Sequence, residues 1–445
     1  MAKILFVQNY TPEALLGVNC ISSYIEPKHH SKVISGEHER VREYCNSFKP
    51  DVVGISALSK DHCWVLDIAG RIKRYAPNIF ILVGGPHATF YPDILKEAPI
   101  DAVCLGEGEK PVLNLLDAFD IGGDYTRIPS LWIKKGTKVY KNAVDTLLAP
   151  TDIPVISTKT NEAMSGAREA RALTVLCSRG CPFSCNYCAN HGYKQMYGAG
   201  YFRIRKIADI ICEIKNAIDK SPIELIRFQD DIFGVDEKWL NDFLKEYKAS
   251  IGLPFYCLLR IECINEKLLE DLKDAGCFRI GIGVESGDER VRNYVLGRKM
   301  PTESIKNAAK LLHKHKISFH SFNMFGLPSE NYRSAWETLR LNIMIHPTVA
   351  YATIFQPYPG TKFFSTDIER EILGPSFDRF RINHRYDKDS VKIQRLQKFF
   401  MLVVKFPGLR YLLPLLVRLP LDRMYDSLAK ILWEKLYNKK LRALQ

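Results

Sequence analysis

The 445-residue chain has no uninterrupted apolar stretch near the roughly 18–20 residues needed to cross a bilayer. Its first residues, MAKILFVQNY, lack the basic-then-apolar-then-small layout of a secretory signal and read as a first strand. No repeat is visible at solenoid periods. Neither a nucleic-acid module nor a basic–aromatic stripe is present, so no nucleic-acid partner is expected. The twelve cysteines are too scattered for a disulfide scaffold. These absences make a cytoplasmic protein the expectation. What is present is ample core material: 46% of residues are hydrophobic and 25% charged, which excludes disorder over most of the length. The formal net charge of +13 fits an anionic substrate or a membrane surface as well as nucleic acid, and does not choose among them.

The first 120 residues alternate short apolar runs (4–8, 30–35, 51–59, 79–85 and 101–109) with segments of helical period. This predicts an α/β domain with a doubly wound, flavodoxin- or Rossmann-like parallel sheet over residues 1–125. Ligands of such sheets sit at the carboxyl ends of the strands. Three loops there are rich in glycine or hydroxyls: Ser56 to Ser59, Gly84-Gly85-Pro86-His87-Ala88-Thr89, and Gly106-Glu107-Gly108-Glu109. Residues 126–170 read as a linker with a small hairpin.

From 171 to about 365, six candidate strands (172–177, 223–229, 255–259, 278–284, 317–323 and 350–356) alternate with helical stretches. Six strand–helix repeats predict a partial (β/α)6 barrel with its site at the carboxyl ends of the strands. Residues 366–445 read as a helical C-terminal region, in which residues 401–445 carry nine Lys/Arg and three Asp/Glu. Helices packing on the barrel are one reading of that tail. An amphipathic contact with a membrane surface, suited to a lipid-like substrate, is the other.

Eight cysteines (20, 45, 63, 104, 212, 257, 263 and 277) stand alone and read as buried small hydrophobes. The other four crowd together. Cys181, Cys185 and Cys188 form a C-x3-C-x2-C array just after the first barrel strand, with Cys177 outside it and assigned to strand packing. Three thiolates from one tight loop can hold three irons of a cubane and leave the fourth open. A zinc knuckle completed by His191 or Cys177 is the competing reading.

This array, at this place in a six-fold repeat, resembles the radical S-adenosylmethionine (SAM) superfamily. The resemblance implies a [4Fe–4S] cluster on Cys181, Cys185 and Cys188, with SAM chelated at the open iron and Tyr187 against its adenine. Asp230 and Asp231, in the Phe228-Gln229-Asp230-Asp231-Ile232-Phe233 stretch, resemble a loop of the cobalamin-associated branch. Arg260 ends the third strand and is expected to pair with the SAM carboxylate. Gly283-Val284-Glu285-Ser286-Gly287 resembles the family's G-x-E-S-G, so Glu285 and Ser286 are expected at SAM's amine or ribose. Residues 325–330 and 357–361 match turn signatures of the same branch.

A doubly wound domain ahead of such a barrel is similar to the cobalamin-binding domain of cobalamin-dependent radical SAM enzymes. Ser56, Gly84, Gly85, His87, Gly106 and Glu107 are then expected to line the cobalamin. The D-x-H-x-x-G signature of many corrinoid proteins is absent, and Asp61-His62 has the wrong spacing for it. The resemblance implies a methyltransferase acting on an unactivated carbon, served by a reductant such as flavodoxin or ferredoxin and taking a small-molecule or lipid-like substrate. An oxidative cyclase or rearrangement enzyme is the alternative. A tRNA methylthiotransferase and a non-catalytic corrinoid carrier stand further back. No catalytic residue is assigned.

Overall fold

A computed structural model describes residues 1–9, 16–97, 99–156, 171–383 and 388–433. Residues 157–170 of the expected linker and residues 434–445 of the tail lie outside these.

Five short strands open the chain: β1 (Lys3–Gln8), β2 (His30–Ser35), β3 (Val52–Ser56), β4 (Phe80–Gly84) and β5 (Ala102–Cys104). All five are parallel, in the order β2-β1-β3-β4-β5. Side chains alternate across the sheet. Leu5, Val7, Val53 and Ile55 pack with Val65 and Ile68 of the helix His62–Tyr75 on one face. Ile4, Phe6 and Val52 pack with Leu115 and Leu116 of the helix Glu109–Ile121 on the other. Helices on both faces make the sheet doubly wound, with the flavodoxin-like order.

Two departures from the sequence reading concern this domain. The helix Leu16–Ile25 has no counterpart in the pattern, because LGVNCISSYI mixes glycine, asparagine and serines with apolar residues. The expected hairpin, β6 (Leu131–Lys135) and β7 (Lys138–Lys141), exists, but β6 pairs antiparallel with β5. The first sheet therefore has seven strands and runs past residue 125 rather than stopping there.

The second sheet contains β8 (Ala172–Val175), β11 (Leu225–Phe228), β12 (Phe255–Leu259), β13 (Cys277–Glu285), β14 (Ser318–Phe325) and β15 (Val349–Ile354). They are parallel and neighbour one another in sequence order, with β8 and β15 as edges, which is an open barrel. Between β8 and β11 a small antiparallel pair intervenes, β9 (Ser178–Arg179) with β10 (Arg203–Ile204). Phe228, Phe233, Phe243, Tyr247 and Phe255 interlock beneath β11 and β12 and fix the strand end that carries Asp230.

The helix Lys388–Lys405 closes the β15 side. Its Leu396, Phe399, Phe400 and Val403 share a core with Phe325 and Ile354, joined by Leu413, Val417 and Tyr425. Among the described residues no helix is long and apolar enough to cross a membrane. Of the eight lone cysteines, Cys63 and Cys212 are exposed and Cys263 half-buried, contrary to the sequence reading; Cys212 sits on the outer face of the helix Ile207–Ile218.

Candidate active site

The cysteine loop leaves β8 and passes through β9. Gly180 turns it at φ 78°, and a Cβ there would lie 2.6 Å from the Tyr201 carbonyl, so no other residue fits. Several ties hold the loop. The Cys188 amide donates to the Cys185 carbonyl at 3.2 Å, and the Asn186 amide to the Leu296 carbonyl at 3.1 Å. Lys194 Nζ reaches the Pro182 carbonyl at 2.8 Å and Ser184 Oγ at 2.9 Å. Burial pushes the Cys181 thiol up to about 11 and that of Cys188 up to about 12. Such thiols stay protonated until a metal displaces the proton.

The thiols fit a cluster better than a single ion. Sulfurs around one tetrahedral zinc stand about 3.8 Å apart. Among the described residues, the only trio of metal-ligating atoms within 4.8 Å of one another is Glu266, Glu270 and His315 on the surface. The cysteine triad is not such a trio, so its three thiols do not converge on one point.

Three sequence-predicted residues do gather at this loop. Glu285 ends β13 with a left-handed φ of 66°, strained for a glutamate. Its Oε1 accepts from Tyr187 Oη at 3.1 Å and from Arg298 Nη1 at 2.9 Å. Burial raises its pKa, and Arg298 opposes the rise. Arg260, at the end of β12, lies 3.8 Å over the Phe183 ring and 3.6 Å from Cys185 Sγ, and pairs with Glu262. The Nε atoms of Arg260 and Arg298 are buried without a partner among the described residues. Two donors and a carboxylate beside the cysteine loop suit the amino-acid end of SAM.

The neighbouring acids divide. Asp231 is solvent-accessible but enclosed on most sides; burial raises its pKa, while the Asn190 side chain donates to it. Asp230 does not face the loop's open side. It is buried, and its carboxylate accepts from the amides of Cys177 at 3.0 Å and Ser178 at 2.5 Å, and from Ser178 Oγ at 2.5 Å. That spends the oxygens of Asp230 on the backbone and corrects its expected cofactor role. Ser286 is corrected likewise: it is fully buried, its carbonyl accepts from Arg292 and its Oγ from the Asp288 amide.

On the first sheet, Ser56 and Gly84 stand in register at the carboxyl edge, and Gly85 follows them. His87 is fully buried. Its Nε2 lies 2.9 Å from His62 Nδ1 and its Nδ1 lies 3.2 Å from Ser59 Oγ. Burial lowers its pKa to about 3, so it is neutral, and with both nitrogens engaged it offers none to cobalt. The carboxyl edge thus fits a corrinoid held without histidine ligation. Gly106 and Glu107 face the barrel instead. A Cβ on Gly106 would stand 1.6 Å from the Tyr197 hydroxyl, and Glu107 pairs with Arg203 and, at 3.3 Å, with Arg179. Arg179 also reaches Glu109 at 2.6 Å. Those two residues therefore join the domains at the carboxyl edge expected to hold cobalamin.

Two family models match this chain. That of the radical SAM superfamily covers residues 175–341, and that of the B12 binding domain covers residues 10–116. The chain belongs to the cobalamin-binding radical SAM family. Its cofactors are a [4Fe–4S] cluster, SAM and cobalamin. It is 28% identical over 377 residues to the uncharacterized methyltransferase PH0819 of Pyrococcus horikoshii, covering 80% of this chain and 79% of that one. It is 26% identical to the anaerobic magnesium-protoporphyrin IX monomethyl ester cyclase of Rubrivivax gelatinosus, covering 73% of this chain but only 60% of the cyclase. In fold it is similar to the radical SAM methyltransferase TsrM of Kitasatospora setae, solved with cobalamin and a [4Fe–4S] cluster, with a TM-score of 0.69 at 16% identity over 85% of this chain and 80% of that one.

Sequence reasoning missed Arg298, Arg179, Arg203 and Tyr197. Arg179 lay in plain view in the Ser-Arg-Gly turn before the triad. Arg298 carries no motif, and only the fold brings it to Glu285.

Proposed function

We propose that this radical SAM enzyme is a methyltransferase acting on an unactivated carbon of a small-molecule or lipid-like substrate. The observation that supports it most is the apposition of the two domains. Gly106 and Glu107, at the carboxyl edge of the first sheet, are latched to Tyr197 and Arg203 beside the cysteine loop. Ligands held at the two edges then share one space.

When bound, the cluster with SAM supplies one-electron hydrogen abstraction, and cobalamin supplies an activated methyl group. The chain's own residues do the rest. Cys181, Cys185 and Cys188 would hold the cluster. Arg260 and Arg298 would neutralise the SAM carboxylate, and Glu285 would accept from its amine or a ribose hydroxyl. Tyr187 would meet the adenine, and Asp231 would line the approach. Ser56, Gly84 and Gly85 would hold the corrinoid, with the neutral, buried His87 beside them. A flavodoxin or ferredoxin provides the electron.

The test is anaerobic incubation of the cofactor-loaded protein with a small-molecule extract, a reductant, and SAM carrying a deuterated methyl group. The expected result is a product in which one hydrogen is replaced by the labelled methyl group, only when cobalamin is present. A product that loses hydrogen and carries no label overturns the reading in favour of oxidative cyclisation.

A further inference from the structure

Exposed large hydrophobic side chains are not spread evenly over this protein. Seven of them fall between residues 406 and 424: Phe406, Tyr411, Leu412, Leu415, Leu419, Leu421 and Met424. Tyr411, Leu412 and Leu415 are 74%, 57% and 63% exposed. Scattered single hydrophobes on a surface need no explanation, but a run of them marks an interaction site.

The run is neither a frayed end nor a loose loop. Pro407, Pro414 and Pro420 break it into short turns, and successive backbone bonds tie them: Leu409 to Phe406, Leu412 to Leu409, Leu416 to Leu412, Leu419 to Leu416. Its inward side is anchored. Leu413, Val417 and Tyr425 are buried in the core under the helix Lys388–Lys405, and Tyr425 Oη donates to the Leu416 carbonyl at 2.8 Å. Arg395 clamps the Val417 carbonyl at 3.1 Å. The outward side is therefore held apolar by the fold.

Charge decides what this knob meets. Lys405, Arg410, Arg418 and Arg423 are all exposed within the run. The two acids there, Asp422 and Asp426, are paired with Arg395 and Lys398. Arg410 lies over the Tyr411 ring at 4.8 Å and reaches its hydroxyl at 2.7 Å. Such a pair leaves an amphipathic tyrosine and a cation at one level, the arrangement of interfacial anchors. Leucines flanked by cations that have no acidic partner among the described residues match a layer whose interior is hydrocarbon and whose surface is anionic. We propose that residues 405–424 dock this protein on the surface of a bilayer bearing anionic phospholipids. This inference stands apart from the methyl-transfer reading, and its test needs no turnover.

The full chain is sedimented with vesicles of phosphatidylcholine alone and with vesicles of roughly one-third phosphatidylglycerol. The expected result is binding to the anionic vesicles, weakened by salt, and little to the neutral ones. The L412D/L415D variant should lose at least about tenfold in partition, since both leucines must enter the interface. The R410Q/R418Q variant should lose the preference for the anionic lipid while its far-UV spectrum and melting temperature stay at the wild-type values. Unchanged partition in both variants overturns the proposal. So does a chain that ignores both vesicles and is a dimer by light scattering which L412D/L415D converts to a monomer, since a second copy is then the occupant.

Discussion

Arg298 Nη1 sits 2.9 Å from Glu285 Oε1, and that contact ties the end of β13 to the turn that follows it, beside the cysteine loop. Glu285 holds a left-handed backbone at the end of β13, and Arg298 follows a single π-turn, Val291–Val295, which docks on Asn186 of the loop. Tyr187 shares the same carboxylate oxygen. The three side chains form one buried unit, so deleting one leaves another unpaired.

Arg298→Met should therefore weaken SAM binding by about 1.5–3 kcal/mol, roughly ten- to a hundredfold, through loss of a charge-assisted bond. Arg298→Lys should recover part of it, because the charge returns without the fork. Equilibrium binding of SAM to the cluster-loaded protein is the measurement. Unaltered affinity in Arg298→Met would remove Arg298 from the site.

Cys181→Ala, Cys185→Ala and Cys188→Ala should each abolish SAM cleavage and lower iron content. Cys177→Ala is the informative control. Its thiol is buried in the core beneath β8 and β11, so the change should cost stability and leave iron bound. Iron and sulfide analysis of the four anaerobic proteins decides it. A Cys177→Ala protein without iron would mean that the cluster's ligand set has been misread.

The cysteine triad, both parallel sheets and the Glu285 motif were legible because each is local: a spacing, a period, a run of five residues. What stayed hidden depends on where the chain returns. Asp230 and Asp231 are adjacent and identical in sequence, yet one clamps Cys177 and Ser178 while the other faces the cysteine loop, since successive positions past a strand end point opposite ways. Gly106 and Glu107 looked like ligand contacts for the good reason that they end a strand in a doubly wound sheet. Only the second domain's arrival with Tyr197, Arg179 and Arg203 explains their use. The helix Leu16–Ile25 shows the same limit at the level of secondary structure: its burial, not its propensity, makes it helical.

Asp230 also predicts a pH dependence. Burial raises its pKa from 3.8 to about 6, although three donors oppose the rise. Between those values the folded state binds the proton that the unfolded chain has released. The contribution of Asp230 to stability is therefore full below about pH 4 and is lost as pH rises to about 6. Asp230→Asn removes this titration and also one acceptor for the two backbone amides, so it should cost about 1–3 kcal/mol. Denaturant unfolding of the apoprotein from pH 4 to 7 should show this downward contribution in the wild type and not in the variant. Parallel profiles would mean that Asp230 is ionised throughout.

The domain latch gives the strictest test. A Cβ at residue 106 would stand 1.6 Å from the Tyr197 hydroxyl oxygen and 2.8 Å from its Cζ, and Gly106 has a φ of 75°. Gly106→Ala must therefore displace the Tyr197 ring from the first sheet and also costs about 1–2 kcal/mol for a left-handed alanine. The bond from the Glu107 amide to the Tyr197 hydroxyl is then lost, while Arg203 on β10 and Arg179 on β9 keep Glu107 and Glu109 as partners. Tyr197→Phe removes the atom in the worst clash but not the ring carbon behind it, so the double variant should recover only part of the loss. The observables are thermal unfolding and the overall rate of proteolysis. Gly106→Ala should lower the melting temperature and speed cleavage, and Tyr197→Phe should reverse part of both. If Gly106→Ala cuts no faster than wild type, the two carboxyl edges are not held together by this contact, and the shared space that methyl transfer requires must have another origin.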